Sequence, residues 1–337
     1  MTNLLTRFAL AAAVSAVVVT KAHAITLEWV TVGDPGNTAD TRGSPNPAGS
    51  VPDSFRIMKY EFTNEQYKDF LNAVAATDTY SLYNTNMGGN VRGGITRSGS
   101  SGSYSYSVKT NMGDKPVNYV SWFDAARVAN WLMNGSTGTS STETGAYTLV
   151  GGQTNGTVPA KNPGATFSIP TENEWYKAAY YKGGSANAGY WNYATQSDAT
   201  PKLVTAGSTG IGLTGSGSNF ANFERGADWN GQDGNVTTVG TNGGPSAYGA
   251  FDMSGNVLEW NDLTGAAGSN RGFRGGAWNS VSPYLGIFFT NNTPFPSVEY
   301  DYIGFRLAAS VPEPATSSTL AAGLAIATLH LARRRQA

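Results

Sequence analysis

The residue types that most often carry out enzyme chemistry are missing from the central part of this chain. The sequence of 337 residues contains no cysteine, and its only histidines are His23 and His330, one near each end. Without a thiol or an imidazole between them, neither Ser–His–Asp nor Cys–His catalysis can be assembled there. The same absence excludes a two-histidine, one-carboxylate iron site and disfavours zinc. Metal binding through carboxylate and carbonyl oxygens is the kind of site that remains possible.

Carboxylates and aromatic rings are the other groups that could act on a ligand. A pair of carboxylates can hydrolyse a glycosidic bond, and Glu172 and Glu174 are close in sequence, but Glu174 is better placed as a helix cap. Tyr190, Trp191 and Tyr193 form an aromatic cluster outside any regular period. Such a cluster either stacks on a sugar or peptide ligand or packs a long loop. We predict these three as ligand-binding residues and predict no catalytic residue.

Capping boxes and hydrophobic spacing predict the elements that position these groups. The predicted helices begin with the pairs Thr63/Gln66, Ser121/Asp124 and Thr171/Glu174, and run to about Val74, Asn134 and Gly183 respectively. The predicted strands are 25–32, 55–62, 147–149, 272–275 and 302–307. Stretches 87–113, 134–163 and 207–218 are rich in Gly, Ser and Thr and are predicted as surface loops. The pattern indicates a loop-rich α+β domain with one core.

Both ends of the chain are predicted to be processing signals. Residues 1–24 combine Arg7, an apolar run and the small-residue site Ala22-His23-Ala24, which is typical of a secretory signal peptide. Residues 311–337 contain Pro312-Glu313-Pro314, an apolar stretch and three terminal arginines. This tail resembles the PEP-CTERM sorting tail, which implies an exosortase as partner and transient anchoring in the inner membrane. A plain C-terminal anchor is the alternative.

The charge of the body between the two ends argues against nucleic acid as a partner. Residues 25–310 contain 17 basic and 22 acidic side chains, a net charge of −5. Nucleic-acid-binding domains carry a basic surface instead. No nucleic-acid partner is therefore expected, while the two end segments place the body at the cell surface or outside the cell as an expectation.

Six short segments occur in an order that carries a second resemblance. They are YEFTNEQY (60–67), PVNYVSW (116–122), IPTENEW (169–175), FDMSGNVLEW (251–260), RGGAW (274–278) and IGFR (303–306). Together they resemble the formylglycine-generating enzyme, or sulfatase-modifying factor, family over nearly the whole body. The resemblance implies the formylglycine-generating-enzyme fold, which is C-type-lectin-like.

The resemblance also implies an activity whose ligands this chain lacks. Members of the family use oxygen and copper to oxidise a sulfatase cysteine to formylglycine, and two cysteines bind the copper. Those two positions correspond to Ser280 and Leu285 here. Neither provides the thiolate that Cu(I) prefers, so copper is not expected.

Calcium is the cofactor that the resemblance leaves possible. The family binds calcium through oxygen ligands in two loops, and carboxylates and carbonyls in a tight turn suit a hard cation. The corresponding residues are Asp252 and Glu259 with the carbonyls of Gly255 and Val257, and Asn222 and Asp233 with the carbonyls of Phe223 and Asn235. The alternative is that ordinary hydrogen bonds hold these loops.

Two functions follow from these expectations. The first is an exported, non-catalytic module that binds a polysaccharide or a surface protein in the cleft where the family's enzymes receive an extended peptide. The second is an oxidoreductase of the family type that acts through a non-standard site, without cysteine or histidine. A hydrolase that uses two carboxylates is a third possibility.

Overall fold

The described part of the chain contains four α-helices of unequal length and one short 3-10 helix. The computed structural model describes residues 25–291 and 293–312, so the predicted signal peptide and nearly all of the predicted sorting tail lie outside the described residues. The α-helices are α1 (Asn64–Val74), α2 (Asn86–Gly89), α3 (Trp122–Met133) and α4 (Glu172–Tyr180), and a short 3-10 helix covers Ser282–Leu285. None of the described helices has the length and hydropathy of a membrane span.

The three predicted capping boxes are confirmed at the starts of α1, α3 and α4. At each start the N-cap hydroxyl accepts a hydrogen bond from the backbone N–H three residues on, and the side-chain oxygen of that residue accepts one from the backbone N–H of the N-cap. Each such cap stabilises its helix by about 1 kcal/mol. Helix α4 ends at Tyr180 rather than near Gly183, because Tyr181 adopts an extended conformation and bridges to Tyr190.

The strands are short and form several small sheets. They are β1 (Trp29–Val32), β2 (Phe55–Met58), β3 (Ile95–Ser98), β4 (Ser105–Val108), β5 (Phe167–Ser168), β6 (Lys202–Leu203), β7 (Thr205–Ala206), β8 (Gly212–Leu213), β9 (Phe220–Ala221), β10 (Leu258–Asn261), β11 (Gly272–Arg274), β12 (Ile303–Gly304) and β13 (Ala308–Ser310). The larger sheets have the orders β1-β2-β13-β5 and β11-β10-β12, and β10 and β12 are parallel. The predicted loop-rich α+β architecture is confirmed.

Three sequence predictions about loops and strands are wrong. The stretch 207–218 contains strand β8, which pairs with β7. The stretch 87–113 is not a plain loop, because it contains the end of α2 and the antiparallel hairpin of β3 and β4. Serine and threonine hydroxyls pair across the exposed face of this hairpin, so its alternation does not look hydrophobic in the sequence. The segment 147–149 is not a strand and makes only an isolated bridge between Tyr147 and Lys161.

Aromatic side chains fill two adjoining parts of the core. The larger part lies around α1 and α3 and includes Trp122, Trp131 and Trp260, while Trp175 lies in a second part around α4. Trp278 is buried in a smaller cluster. All five tryptophans are buried, and large aromatic side chains of this kind contribute much of the apolar area that a core removes from water.

Candidate functional site

A cleft of about 640 Å³ opens beside the three-stranded sheet of β10, β11 and β12. Its floor is apolar and consists of Leu258 of β10, Phe273 of β11 and Ile303 of β12, with Leu258 and Ile303 directly paired across the parallel strands. The two loops that follow β11 and precede β12 form its walls. Pockets of this size and character are where most proteins bind small or extended ligands.

Aromatic pairs line the two walls of the cleft. The rings of Tyr284 and Phe289 lie 4.4 Å apart between centroids, and those of Tyr300 and Tyr302 lie 5.2 Å apart and are nearly parallel. Tyr284 remains 44% exposed and Tyr300 49% exposed. Because neighbouring rings hold each other in place, these exposed faces are preorganised for a ligand.

The polar groups of the cleft are amides and hydroxyls without a charge. Asn279, Ser280 and Asn291 lie along it, and none of the described side chains that line it is an acid, a lysine or an arginine. The cleft therefore contains hydrogen-bond donors and acceptors, and its described lining includes no carboxylate, ammonium or guanidinium group.

The two positions that correspond to copper-binding cysteines have different surroundings. Ser280 lines the cleft, and its hydroxyl accepts a hydrogen bond from the backbone N–H of Ala277 at 2.9 Å. Leu285 is buried against Ala221 and Phe223. The serine thus stabilises a turn and the leucine fills a core, so neither position is arranged to hold a metal.

The carboxylates considered for hydrolysis are both engaged in structural contacts. Glu172 forms a buried ion pair with Arg274 and accepts a hydrogen bond from Asn261 at 2.6 Å. Glu174 caps α4 through the backbone and hydroxyl of Thr171. Neither residue lines the cleft.

The predicted aromatic ligand cluster does not form one exposed surface. Tyr190 is 4% exposed, and its hydroxyl donates to the carbonyl of Thr38 at 2.9 Å, so the expectation of an exposed ring is wrong for this residue. Trp191 and Tyr193 are partly exposed. The rings of the cleft were not predicted because Tyr284, Phe289 and Tyr300 are irregularly spaced along the connection between β11 and β12 and meet only in the folded chain.

A buried polar network connects the two predicted calcium sets. Asn222 donates to the side-chain oxygen of Asn256 at 3.2 Å, and the backbone N–H of Asn256 donates to the carbonyl of Asn222 at 2.8 Å. Asn256 also donates to Glu61 at 2.7 Å. Glu61 and Asn256 belong to the quoted sequence motifs, but their roles at this contact were not predicted.

The set around Asp252 contains more acidic than basic groups, which is the charge balance that a divalent cation could neutralise. Glu61, Asp252 and Glu259 are buried near one guanidinium, that of Arg306, which leaves two negative charges in excess when all four are ionised. Burial first, and then the nearby Asp252 and Glu259, raise the pKa of Glu61 well above its usual range. Burial also raises the pKa of Asp252. A divalent cation would remove this excess.

The ligands of that set are only partly available for a metal. Glu259 already accepts hydrogen bonds from Arg306 and from Trp175, while Asp252 accepts them from Gly240 and Asn242. Within the described residues, no three acidic side chains converge as metal ligands. Calcium here would therefore depend on Asp252 and on backbone carbonyls more than on Glu259.

The set around Asn222 fits a hard cation through one unpaired oxygen. The buried side-chain oxygen of Asn222 has no hydrogen-bond partner in the described part of the chain. Asp233 is 73% exposed at its side chain and pairs with Arg225 at 3.1 Å, while the carbonyl of Asn235 accepts from Asn222 at 2.9 Å. An unpaired buried oxygen is costly, and a cation would satisfy it.

Comparisons with known proteins agree with this architecture. A family profile described as the sulfatase-modifying factor enzyme 1-like domain matches residues 16–311. The solved structure of CarF is similar over 85% of this chain and 99% of its own, with a TM-score of 0.50 and 21% identity. PvdO from Pseudomonas aeruginosa is similar over 85% of this chain and 92% of its own, with a TM-score of 0.41 and 18% identity. No curated protein sequence matches this chain significantly.

Proposed function

Since the chain belongs to the sulfatase-modifying factor enzyme 1-like domain family, we propose that it uses the family's formylglycine-generating-enzyme fold as an exported, non-catalytic module that binds polysaccharide in its aromatic cleft. The observation that carries this proposal is the lining of the cleft, which combines exposed aromatic faces with amides and hydroxyls and includes no charged side chain among the described residues. Sulfatase-modifying chemistry requires copper-binding cysteines, and the sequence has none.

The chemistry of the lining favours an uncharged saccharide. Pyranose rings present apolar C–H faces that stack on aromatic rings, as the exposed faces of Tyr284 and Tyr300 allow. Their hydroxyls can exchange hydrogen bonds with the amides of Asn279 and Asn291, which both donate and accept. A charged ligand would find no partner of opposite sign among the lining side chains. A surface protein that inserts an extended uncharged peptide is the alternative ligand.

Calcium is proposed as a structural cofactor of this module. Asp252 and Asn222, with nearby backbone carbonyls, are the residues that support it best, because the first belongs to a group with excess negative charge and the second has an unpaired buried oxygen. A bound divalent cation would lock together the loops that follow β9 and precede β10. The ion would stabilise the fold and would take no part in chemistry.

Export and sorting remain part of the proposal. The signal peptide at 1–24 and the tail at 311–337 support secretion, recognition by an exosortase, transient anchoring in the inner membrane and a final position at the cell surface or in the extracellular matrix. A polysaccharide-binding module is suited to that location.

The experiment is a calorimetric titration of the purified protein with the neutral fraction of the exopolysaccharide of its own host. We expect saturable binding that weakens when aromatic rings of the cleft are removed. An uncharged extended peptide is titrated in parallel. Binding of the peptide without the polysaccharide would assign the cleft to a protein partner, and binding of neither would contradict the proposal.

A further inference from the structure

A second cavity, of about 310 Å³, has a lining of a different character from that of the aromatic cleft. The two share no lining residue, and the second includes the charged residues Asp40, Arg42 and Lys182. The segment 38–42 forms one side, and the turn that follows α4 forms the other. The position of these charges indicates what the cavity can bind.

Arg42 is fixed in place, and Nη1, at the exposed edge of its guanidinium, donates to the side-chain oxygen of Asn192 at 3.4 Å. Its Nε and Nη2 atoms donate to the two carboxylate oxygens of Asp40, each at 3.1 Å, and Nη2 also donates to the carbonyl of Tyr190 at 3.0 Å. Asp40 is buried and accepts a further hydrogen bond from Tyr176 at 3.0 Å. The Arg42 side chain nevertheless remains 48% exposed. A guanidinium held in this way loses little conformational entropy when it binds an anion.

Lys182 provides a second cation without a carboxylate partner. Its ammonium lies 4.2 Å from the ring centroid of Trp191, and no ion pair joins it to an acidic side chain in the part of the chain that the structure describes. The indole therefore positions the ammonium at this cavity. Since Asp40 already balances Arg42, the three charged residues of the lining carry a net charge of +1.

Neutral polar side chains complete the lining. Thr38, Thr41 and Asn187 are exposed at the cavity. The Thr38 hydroxyl donates to the side-chain oxygen of Asn187, so the Asn187 amide N–H groups and the Thr41 hydroxyl are the donors offered to a ligand. The body as a whole has a net charge of −5, so a general electrostatic attraction does not bring anions to this surface. Any anion bound here must be held by short-range contacts with these specific groups.

We propose that this cavity binds the carboxylate of an acidic sugar unit. The Lys182 ammonium and the exposed edge of the Arg42 guanidinium hold the carboxylate, while Thr38, Thr41 and Asn187 exchange hydrogen bonds with sugar hydroxyls. This site is independent of the aromatic cleft, which has no charged side chain, and it assigns Trp191 a positioning role rather than direct stacking.

The test is a calorimetric titration of the purified protein with trigalacturonic acid and with its methyl ester, which lacks the negative charges. We expect the acid to bind and the ester not to bind. Lys182→Gln is expected to weaken binding about tenfold, because it removes a charge-assisted hydrogen bond. Lys182→Arg should keep most of the affinity. Lys202→Gln, which removes an exposed lysine outside the cavity, should leave it unchanged.

Each remaining outcome decides against the site. Equal binding of acid and ester, or of the wild-type protein and Lys182→Gln, would overturn the proposal. Loss of trigalacturonate binding in Tyr284→Ala would place the ligand in the aromatic cleft and would overturn it as well. Failure of the cleft to bind neutral polysaccharide would leave this result unaffected, so the two proposals fail separately. Circular dichroism and the melting temperature establish that each variant is folded.

Discussion

Arg306 and Glu259 form a buried ion pair with two contacts, in which Arg306 Nε lies 2.6 Å from Glu259 Oε2 and Arg306 Nη2 lies 2.7 Å from Glu259 Oε1. Trp175 donates its indole N–H to the same carboxylate at 2.7 Å. The pair joins the last quoted motif to the strand β10 and to helix α4. Both side chains are fully buried.

Removal of the guanidinium should be strongly destabilising. Arg306→Met leaves Glu259 without its partner beside Asp252 and Glu61, and breaking a buried pair in this way costs about 3–5 kcal/mol in the free energy of unfolding. The matched control is Arg225→Met, because Arg225 pairs with Asp233 on the exposed surface. That change should cost less than about 1 kcal/mol. Urea denaturation measures both, and equal losses would contradict the importance of the buried pair.

Calcium should stabilise the protein, and Asp252→Asn should reduce that effect. The cation would balance the buried negative charge near Asp252, so adding calcium at a concentration of 100 times its dissociation constant should raise the free energy of unfolding by about 2.7 kcal/mol. The quantity to compare is the calcium-dependent shift in melting temperature, because Asp252→Asn also changes hydrogen bonds to Gly240 and Asn242. Asp53→Asn, at an exposed carboxylate, is the control and should keep the full shift.

The pH dependence of stability should reflect Asp262. Burial raises the pKa of this carboxyl to about 7, although the nearby Arg271 lowers it. Because the folded state binds the proton more tightly than the unfolded state, this stabilisation is complete below pH 3.8 and is lost as the pH rises through about 7. Between these pH values the free energy of unfolding of Asp262→Asn should decrease less with pH than that of the wild-type protein. The difference between the two slopes should be up to about 1.4 kcal/mol per pH unit. An unchanged slope, measured by denaturation at several pH values, would contradict this assignment.

The aromatic walls of the cleft should provide most of its affinity for polysaccharide. Tyr284→Ala and Tyr300→Ala each remove an exposed ring face, and each should weaken binding about five- to tenfold, since a stacking contact contributes about 1 kcal/mol. Tyr104→Ala is the control, because Tyr104 is a partly exposed tyrosine that does not line the cleft. Its affinity should match that of the wild-type protein. Equal weakening in all three variants would indicate a general loss of structure.

The sequence predicted the parts of the fold that depend on neighbouring residues. The capping boxes of α1, α3 and α4 are local signals and located these helices within a few residues. Strands such as β5 and β9 have only two residues, so hydrogen bonds to other segments decide them and no alternation marks them in the sequence.

The candidate site was predictable only in part. The absence of cysteine at positions 280 and 285 can be read directly from the sequence, because it depends only on which residues stand there. The cleft is not visible, since Tyr284 of the 3-10 helix and Tyr300 are 16 residues apart and approach the same sheet only after folding. The contact between Asn222 and Asn256 likewise depends on the tertiary structure.

The central claim is that this protein keeps the family's fold for binding and has no redox chemistry. It is tested most directly by measuring metal content by mass spectrometry, and oxygen consumption with a cysteine-containing sulfatase peptide, on protein incubated with calcium and copper. We predict bound calcium, no stoichiometric copper and no peptide-dependent oxygen uptake. Stoichiometric copper or iron together with oxygen uptake would contradict the account and would establish an oxidoreductase site without cysteine or histidine.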